Sequence, residues 1–140
     1  MTDFAAARRH MVDSQVRPSD VTDLRIITAM QDVARERFLP ERDAALAYLD
    51  LDAPVGAGSR SRRMLKPMVL AKLLQAAELR PTDRVLDVGS LTGYGAAIIA
   101  RLAGSVVALE EDTTLARRSE TPNGRRPRHA RLLQRTSRRI

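Results

Sequence analysis

The chain has no cysteine and no tryptophan, and aromatic residues make up only 3% of its 140 positions. Without cysteine there is no disulfide framework, no thiol nucleophile and no cysteine-ligated zinc. Its two histidines, His10 and His129, lie in very different surroundings and do not by themselves make a metal site, so no metal is expected. No apolar run approaches the ~18 residues of a membrane-spanning helix. The first residues, MTDFAAARRH, carry no apolar signal-peptide segment. A soluble, cytoplasmic protein without a membrane partner is the expectation. What remains is 44% hydrophobic content, mostly Leu, Ile, Val and Ala, enough for the core of one domain or of part of a larger one.

The net charge of +7 is unevenly placed. Residues 1–112 carry 15 Lys and Arg against 16 Asp and Glu, a net −1, while residues 113–140 carry 9 Arg against one acid, a net +8. The basic character therefore belongs to the last stretch and not to the body of the chain.

Taken in order, Asp3 to Gln15 reads as a helix capped by Thr2 or Asp3, with Phe4, Ala7 and Met11 near one face. Arg17-Pro18 interrupts it. A second helix starts at Thr22-Asp23, with Leu24, Ile27, Met30 and Val33 on its buried stripe, and Glu41 to Leu49 is a short helical segment carrying Tyr48. Asp50 to Arg63 is loop-like, and its aspartates and arginines read as a solvated surface. Pro67 suits the first turn of a helix over Met68 to Leu79, with Val69, Leu70, Leu73, Leu74 and Ala77 forming its apolar stripe.

From Arg84 to Asp112 the pattern becomes strand, glycine turn, helix, strand. Arg84–Val88 is a short β-branched run ending at Gly89; Ala96–Leu102 suits a buried helix; Gly104 stands where a helix-ending glycine belongs; Ser105–Leu109 is a second strand closed by Glu110, Glu111 and Asp112. This is a βαβ unit, whose ligands sit at the carboxyl ends of the strands. After Asp112 there is neither strand alternation nor a convincing helical stripe, so 113–140 reads as a basic, disordered tail.

The glycine turn admits several readings. A Walker A loop needs Lys-Ser/Thr after its last glycine, and Tyr94 follows Gly93 instead. The spacing of Gly89, Gly93 and Gly95 does not give G-x-G-x-x-G. Asp87-Val88-Gly89-Ser90-Leu91-Thr92-Gly93 resembles D-x-G-x-G-x-G, the first motif of S-adenosylmethionine-dependent methyltransferases, at all but one defined position. That resemblance makes Asp87, Gly89, Ser90, Leu91, Thr92, Gly93, Tyr94, Glu110 and Glu111 the candidate cofactor-binding residues. Glu110 would accept both ribose hydroxyls, and Asp87 would help to place the aminocarboxypropyl end. The motif alone leaves open a βαβ unit that binds nothing, and Tyr94 reads more simply as helix-start packing than as catalytic.

The flanking residues carry a wider resemblance. Met11-Val12, Gln15, Asp23, Arg25, Ala29-Met30, Val33, Arg35-Glu36-Arg37-Phe38, Pro40, Ala47-Tyr48, Asp50, Pro54 and Gly56 occur in that order, followed by Pro67–Leu74, Val85–Ala97 and Val107–Glu110. Over about residues 4–112 the chain resembles protein-L-isoaspartate O-methyltransferases. The resemblance implies an α/β, partial Rossmann-like methyltransferase fold with N-terminal helices. Residues 1–83 would form a helical region, 84–112 the cofactor-binding unit and 113–140 the tail. It also implies S-adenosyl-L-methionine as cofactor and isoaspartyl-containing proteins or peptides as substrates. The products would be a methyl ester, which opens repair through a succinimide, and S-adenosylhomocysteine. Such chemistry asks little of side chains, because a carboxylate is already nucleophilic and alignment carries most of the rate.

Three departures stand out. Leu65 occupies the position of the family's serine facing the substrate carboxylate, and neither Ser59 nor Ser61 is in register to replace it. Leu91 stands where the motif has glycine, and would crowd the cofactor or force the loop outward. The composition after Asp112 does not resemble the family's continuation, which leads to the expectation of a truncation or frameshift after about residue 112. The alternative function is an inactive fragment that at most binds nucleic acid through phosphate contacts of its Arg-rich tail. The lack of aromatic residues there for base stacking weighs against it.

Overall fold

The computed structural model describes residues 2–56, 62–119 and 130–134. Helix α1 (Phe4–Met11) begins at Asp3, whose carboxylate accepts the Ala6 N–H at 3.0 Å and so satisfies a donor the helix cannot. The chain continues through a π turn, Val12–Val16, and a 3-10 turn, Arg17–Ser19, ending at Asp20 with φ of 62°. The expected interruption at Pro18 is thus a change of helix type and not a break. Helix α2 (Leu24–Asp32) is capped by Asp23, which accepts the Arg25 N–H at 2.9 Å. Its buried face is Ile26, Ile27, Ala29 and Met30, with Val33 just beyond, whereas Leu24 is 69% exposed. A first-turn side chain leans back toward the helix start, past the end of the packed face.

Two 3-10 turns, Arg35–Phe38 and Glu41–Leu46, lead to an antiparallel pair, β1 (Ala53–Pro54) with β2 (Arg63–Met64). The segment expected as an open loop therefore has a paired stem, extended by the Val55 N–H donating to the Arg62 carbonyl at 3.1 Å. Gly58, Ser59, Arg60 and Ser61 lie outside the described residues. Helix α3 (Pro67–Ala76) follows, with Pro67 in its first turn. Pro67, Ala71 and Leu74 are buried, and Leu73, expected in the stripe, is exposed. The stripe follows the i, i+4, i+7 row through Pro67, so the neighbouring Leu73 is rotated off it by about 100°.

The parallel sheet is built from two consecutive βαβ units. Strand β3 (Arg84–Val88), helix α4 (Tyr94–Ile99) and strand β4 (Ser105–Glu110) form the expected one. Helix α5 (Thr113–Ser119) and strand β5 (Ala130–Gln134) form the second, and the strand order is β3-β4-β5. The register sets Val88 opposite Leu109 and Glu110 opposite Gln134. On β4, Val106, Ala108 and Glu110 alternate inward, whereas Leu86 and Val88 of β3 are exposed. Met11, Val16, Ile26, Met30, Ile98, Val106 and Leu115 belong to one core that joins the N-terminal helices to the sheet. No helix among the described residues is long and apolar enough to cross a membrane.

Two expectations are corrected. The stretch after Asp112 is not devoid of regular structure. Asp112 caps α5 by accepting the Thr114 and Leu115 N–H groups at 2.9 and 3.3 Å, and Leu115 and Ala116 are buried. A single apolar pair suffices to seat so short a helix, and the surrounding arginines masked it in the composition. The β5 backbone pairs with β4 irrespective of composition. Residues 120–129 and 135–140 lie outside the described residues. Gly104 is not a left-handed helix terminus either: α4 ends at Ile99, and positive φ among the described glycines is confined to Gly89 and Gly93. Glycine is needed at 104 because a Cβ there would lie 2.6 Å from the Pro81 carbonyl oxygen.

Candidate functional site

The glycine turn leaves β3 at the carboxyl end of the sheet, the place where open parallel sheets hold ligands. Gly89 turns the chain with φ of 74°, and its N–H donates to the Leu109 carbonyl of the neighbouring strand at 2.8 Å. The turn closes with the Gly93 N–H on the Ser90 carbonyl at 2.9 Å, and Gly93, at φ of 92°, starts α4. Between them Leu91 takes φ of 57°, a left-handed conformation that favours glycine. Where the motif has glycine, a leucine therefore holds the left-handed conformation that glycine adopts without strain.

Leu91 is held there by Glu110. The Glu110 carboxylate is buried, and its Oε2 accepts the Leu91 N–H at 2.7 Å while its Oε1 accepts the Asp112 N–H at 3.0 Å. Arg62 completes the set: Nη1 donates to Oε1 at 3.0 Å and Nη2 to Oε2 at 3.1 Å. Each carboxylate oxygen thus has one backbone and one guanidinium partner. The same guanidinium leans over the turn, since a Cβ on Gly89 would lie 3.6 Å from Arg62 Nη2.

Asp87, the other acid of the motif, is half-buried beside the start of α4, and a Cβ on Gly95 would lie 3.6 Å from its Oδ2. Burial, and secondarily the Glu110 charge, push its carboxyl above the ordinary carboxylate value, with no cation among the described residues counteracting the shift. A carboxylate so placed suits the ammonium group of a ligand.

The rest of the candidate set divides. Ser90 is buried, its hydroxyl without a partner among the described residues. Thr92 is also buried and donates to the Phe38 carbonyl at 2.6 Å, tying the turn to the N-terminal region. The Tyr94 side chain points into the core, edge-on to Phe38 with ring centroids 5.5 Å apart, which supports the packing reading over a catalytic one. Glu111 is exposed. Leu65 is also exposed, and its carbonyl accepts from Arg35 Nη2 at 2.7 Å.

Arg35 explains much of the N-terminal pattern. Fully buried, it donates to the Ala47 carbonyl as well as that of Leu65, each at 2.7 Å, and lies over the Tyr94 ring at 4.8 Å. It thereby fixes the approach to β2 and α3 relative to the helix that follows the glycine turn. Beside it, the Tyr48 hydroxyl donates to the Glu36 carboxylate and accepts from Arg8 Nε at 3.1 Å. Burial and then Glu36 push that phenol above its ordinary range. These residues are a scaffold for the site.

Sequence reasoning missed Arg62. As one of several arginines in a presumed solvated loop it carried no distinguishing signal, yet it pairs with a buried acid 48 residues away. Asp52 was likewise more than surface, because its Oδ1 accepts the Lys66 N–H at 2.9 Å at the start of α3.

Comparison with known proteins follows the same geometry. A family model described as Protein-L-isoaspartate(D-aspartate) O-methyltransferase matches residues 6–132 and so continues past Asp112, where the sequence resemblance ended. The protein-L-isoaspartate O-methyltransferase 2 of Anaeromyxobacter sp. (strain Fw109-5) is 45% identical over 112 residues, 80% of this chain and 45% of the relative. The protein-L-isoaspartate O-methyltransferase 1 of Rhodopseudomonas palustris (strain HaA2) is 40% identical over 115 residues, 82% of this chain and 46% of the relative. The chain spans about half the length of the curated relatives it matches. Among solved structures, a protein-L-isoaspartate O-methyltransferase superposes with TM-score 0.73 at 22% identity over 90% of this chain and 41% of that one. A Plasmodium falciparum beta-aspartate methyltransferase, solved with S-adenosyl-L-homocysteine, gives TM-score 0.70 at 17% identity over 90% of this chain and 62% of that one. At such identities the structures speak for the shared α/β, Rossmann-like fold.

Proposed function

Because the chain belongs to the protein-L-isoaspartate O-methyltransferase family, we propose that it binds S-adenosyl-L-methionine at the glycine turn and methylates L-isoaspartyl carboxylates of damaged proteins or peptides. The observation that carries the reading is the pairing of two acids at the carboxyl ends of adjacent parallel strands: Asp87 beside the turn and Glu110 opposite it, bridged by the Gly89–Leu109 hydrogen bond. The residues present fit the cofactor. Asp87 would offer the amino acid end a carboxylate that no cation among the described residues pairs, and Glu110, here held by Arg62, would be the acid for a vicinal diol.

When bound, the cofactor would supply a methyl group activated on a sulfonium, with the substrate carboxylate as its acceptor and S-adenosylhomocysteine as the departing thioether. The chain's own work is positional. Gly89 brings the backbone close, Gly93 starts α4 against the sheet, and Glu110 fixes the Leu91 and Asp112 amides that frame the site. No general base is required, because the attacking carboxylate is ionised at neutral pH. Leu65, at the family's serine position, cannot hydrogen-bond the substrate through its side chain, so substrate alignment rests on backbone groups and other side chains.

A cytoplasmic location accords with this reading: the chain lacks cysteine and its proposed substrates are aged proteins. Nucleic-acid binding through the Arg-rich stretch is not favoured, since Leu115 and Ala116 of that stretch are buried and the family match extends to residue 132.

Methyl transfer from labelled S-adenosylmethionine to an isoaspartyl peptide tests the function, with the ordinary aspartyl peptide as control. The expected result is a base-labile methyl ester on the isoaspartyl peptide alone. Equal labelling of both peptides, or of neither, would refute it.

A further inference from the structure

We propose that Arg62 is a displaceable latch over the ribose-binding acid, so that a nucleoside enters the site by exchanging its two vicinal hydroxyls for the two N–H donors of this guanidinium. The inference rests on the cofactor reading of Glu110 given above. The Glu110 side chain has no exposed surface, and its four partners are of two kinds. The amides of Leu91 and Asp112 belong to the turn and to the cap of α5, and they cannot leave without rebuilding both. Arg62 reaches in from the residue before β2, and its side chain is 36% exposed, so it can swing into solvent without disturbing the backbone. The positions it vacates are one on each carboxylate oxygen, held now by parallel donors at 3.0 and 3.1 Å. A cis-diol presents two O–H donors to a carboxylate in the same bidentate way.

The guanidinium lies against Gly89, within 3.6 Å of where a Cβ would stand, so it fills the approach to the turn as well as covering the acid. A ligand arriving there meets a site whose competent form is only the fraction with Arg62 withdrawn, and its apparent affinity falls by that fraction. The latch keeps a buried carboxylate paired in the free protein at the expense of affinity. It also ties affinity to the β1–β2 stem, because the Val55–Arg62 backbone bond anchors the latch residue.

Calorimetric titration of adenosine, which carries the ribose but no sulfonium or amino acid end, tests this on the whole chain and on Arg62→Ala and Arg62→Lys. Arg62→Ala is expected to bind adenosine at least tenfold more tightly than the parent, with Arg62→Lys, which keeps the charge but not the fork, in between. If Arg62→Ala does not fold, Arg62→Lys alone decides, and is expected to bind several-fold more tightly than the parent. Equal or weaker binding by the folded variants, or no adenosine binding by any of the three, overturns the latch. Loss of methyl transfer with this order of affinities intact would overturn the enzymatic reading and leave the latch standing.

Discussion

Leu91 donates its backbone N–H to the Glu110 carboxylate at 2.7 Å while holding a left-handed φ of 57°. The bond and the strain belong together. A conformation that costs a non-glycine residue about 1–2 kcal/mol persists because a buried, charged acceptor rewards the amide for pointing that way. The comparison that isolates the strain is Leu91→Gly against Leu91→Ala, since both remove the packing beyond Cβ. The glycine variant is expected to be the more stable of the two by about 1 kcal/mol, measured by urea denaturation. Equal stabilities would show that the turn is not strained.

Gly104 and Gly95 make opposite demands. A Cβ at 104 meets the Pro81 carbonyl oxygen at 2.6 Å and the Asp83 carbonyl oxygen at 3.3 Å, both backbone atoms that cannot rotate away. Gly104→Ala should destabilise by about 1–3 kcal/mol. At Gly95, inside α4, the nearest atoms would lie 3.6 and 4.0 Å away, at ordinary contact distance. Gly95→Ala should be neutral or stabilising by up to about 1 kcal/mol. Thermal unfolding of the two variants side by side checks both.

Asp87 gives the fold a pH dependence of defined sign. Its carboxyl titrates near 3.8 when unfolded and higher when folded, because burial and then the Glu110 charge oppose ionisation. An acid raised in the folded state binds its proton more tightly there, so its contribution to stability falls as pH rises from the unfolded value through the folded one. Asp87→Asn removes the cost of ionisation. It should melt higher than the parent at pH 7, with the difference shrinking as pH is lowered toward the ordinary carboxylate range. A difference independent of pH would separate Asp87 from the effect.

Arg35 should be the costliest charged side chain to replace. It links the Ala47 and Leu65 carbonyls and covers the Tyr94 ring from a fully buried position. Lysine lacks the planar fork needed to hold both carbonyls. Arg35→Lys should therefore destabilise by about 2 kcal/mol or more, whereas Arg42→Ala, with a side chain 72% exposed, should fall within about 0.5 kcal/mol of the parent. Denaturant midpoints distinguish them.

How far the sequence could be read depended on whether the determining contacts were local. The cap at Asp3, the start of α2 at Asp23, the first-turn proline of α3 and the glycine turn leading into α4 are set by neighbours within a few residues, and all were legible. The orientation of Leu24 and Leu73 was not, because amphipathic spacing allows a stripe to shift by one row, and only packing chooses the row. Helix α5 and strand β5 were hidden by arginine-rich composition, although one apolar pair and backbone pairing with β4 are enough to place them. Arg62 was the largest loss. Its partner lies on another strand, and nothing local separates it from Arg63, whose Nη1 merely reaches the Asp52 carbonyl at 3.1 Å. Around the turn, the acids and glycines could be named from sequence, whereas the guanidinium paired with Glu110 could not.

The central claim is that Glu110 and the glycine turn form a nucleoside-cofactor site. It is tested most directly by calorimetric titration of S-adenosylhomocysteine into the whole chain and into Glu110→Gln. Saturable one-to-one binding to the parent is expected, weakened at least tenfold in the variant. Equal affinity for the two proteins, or no binding to the parent at millimolar ligand, would contradict it.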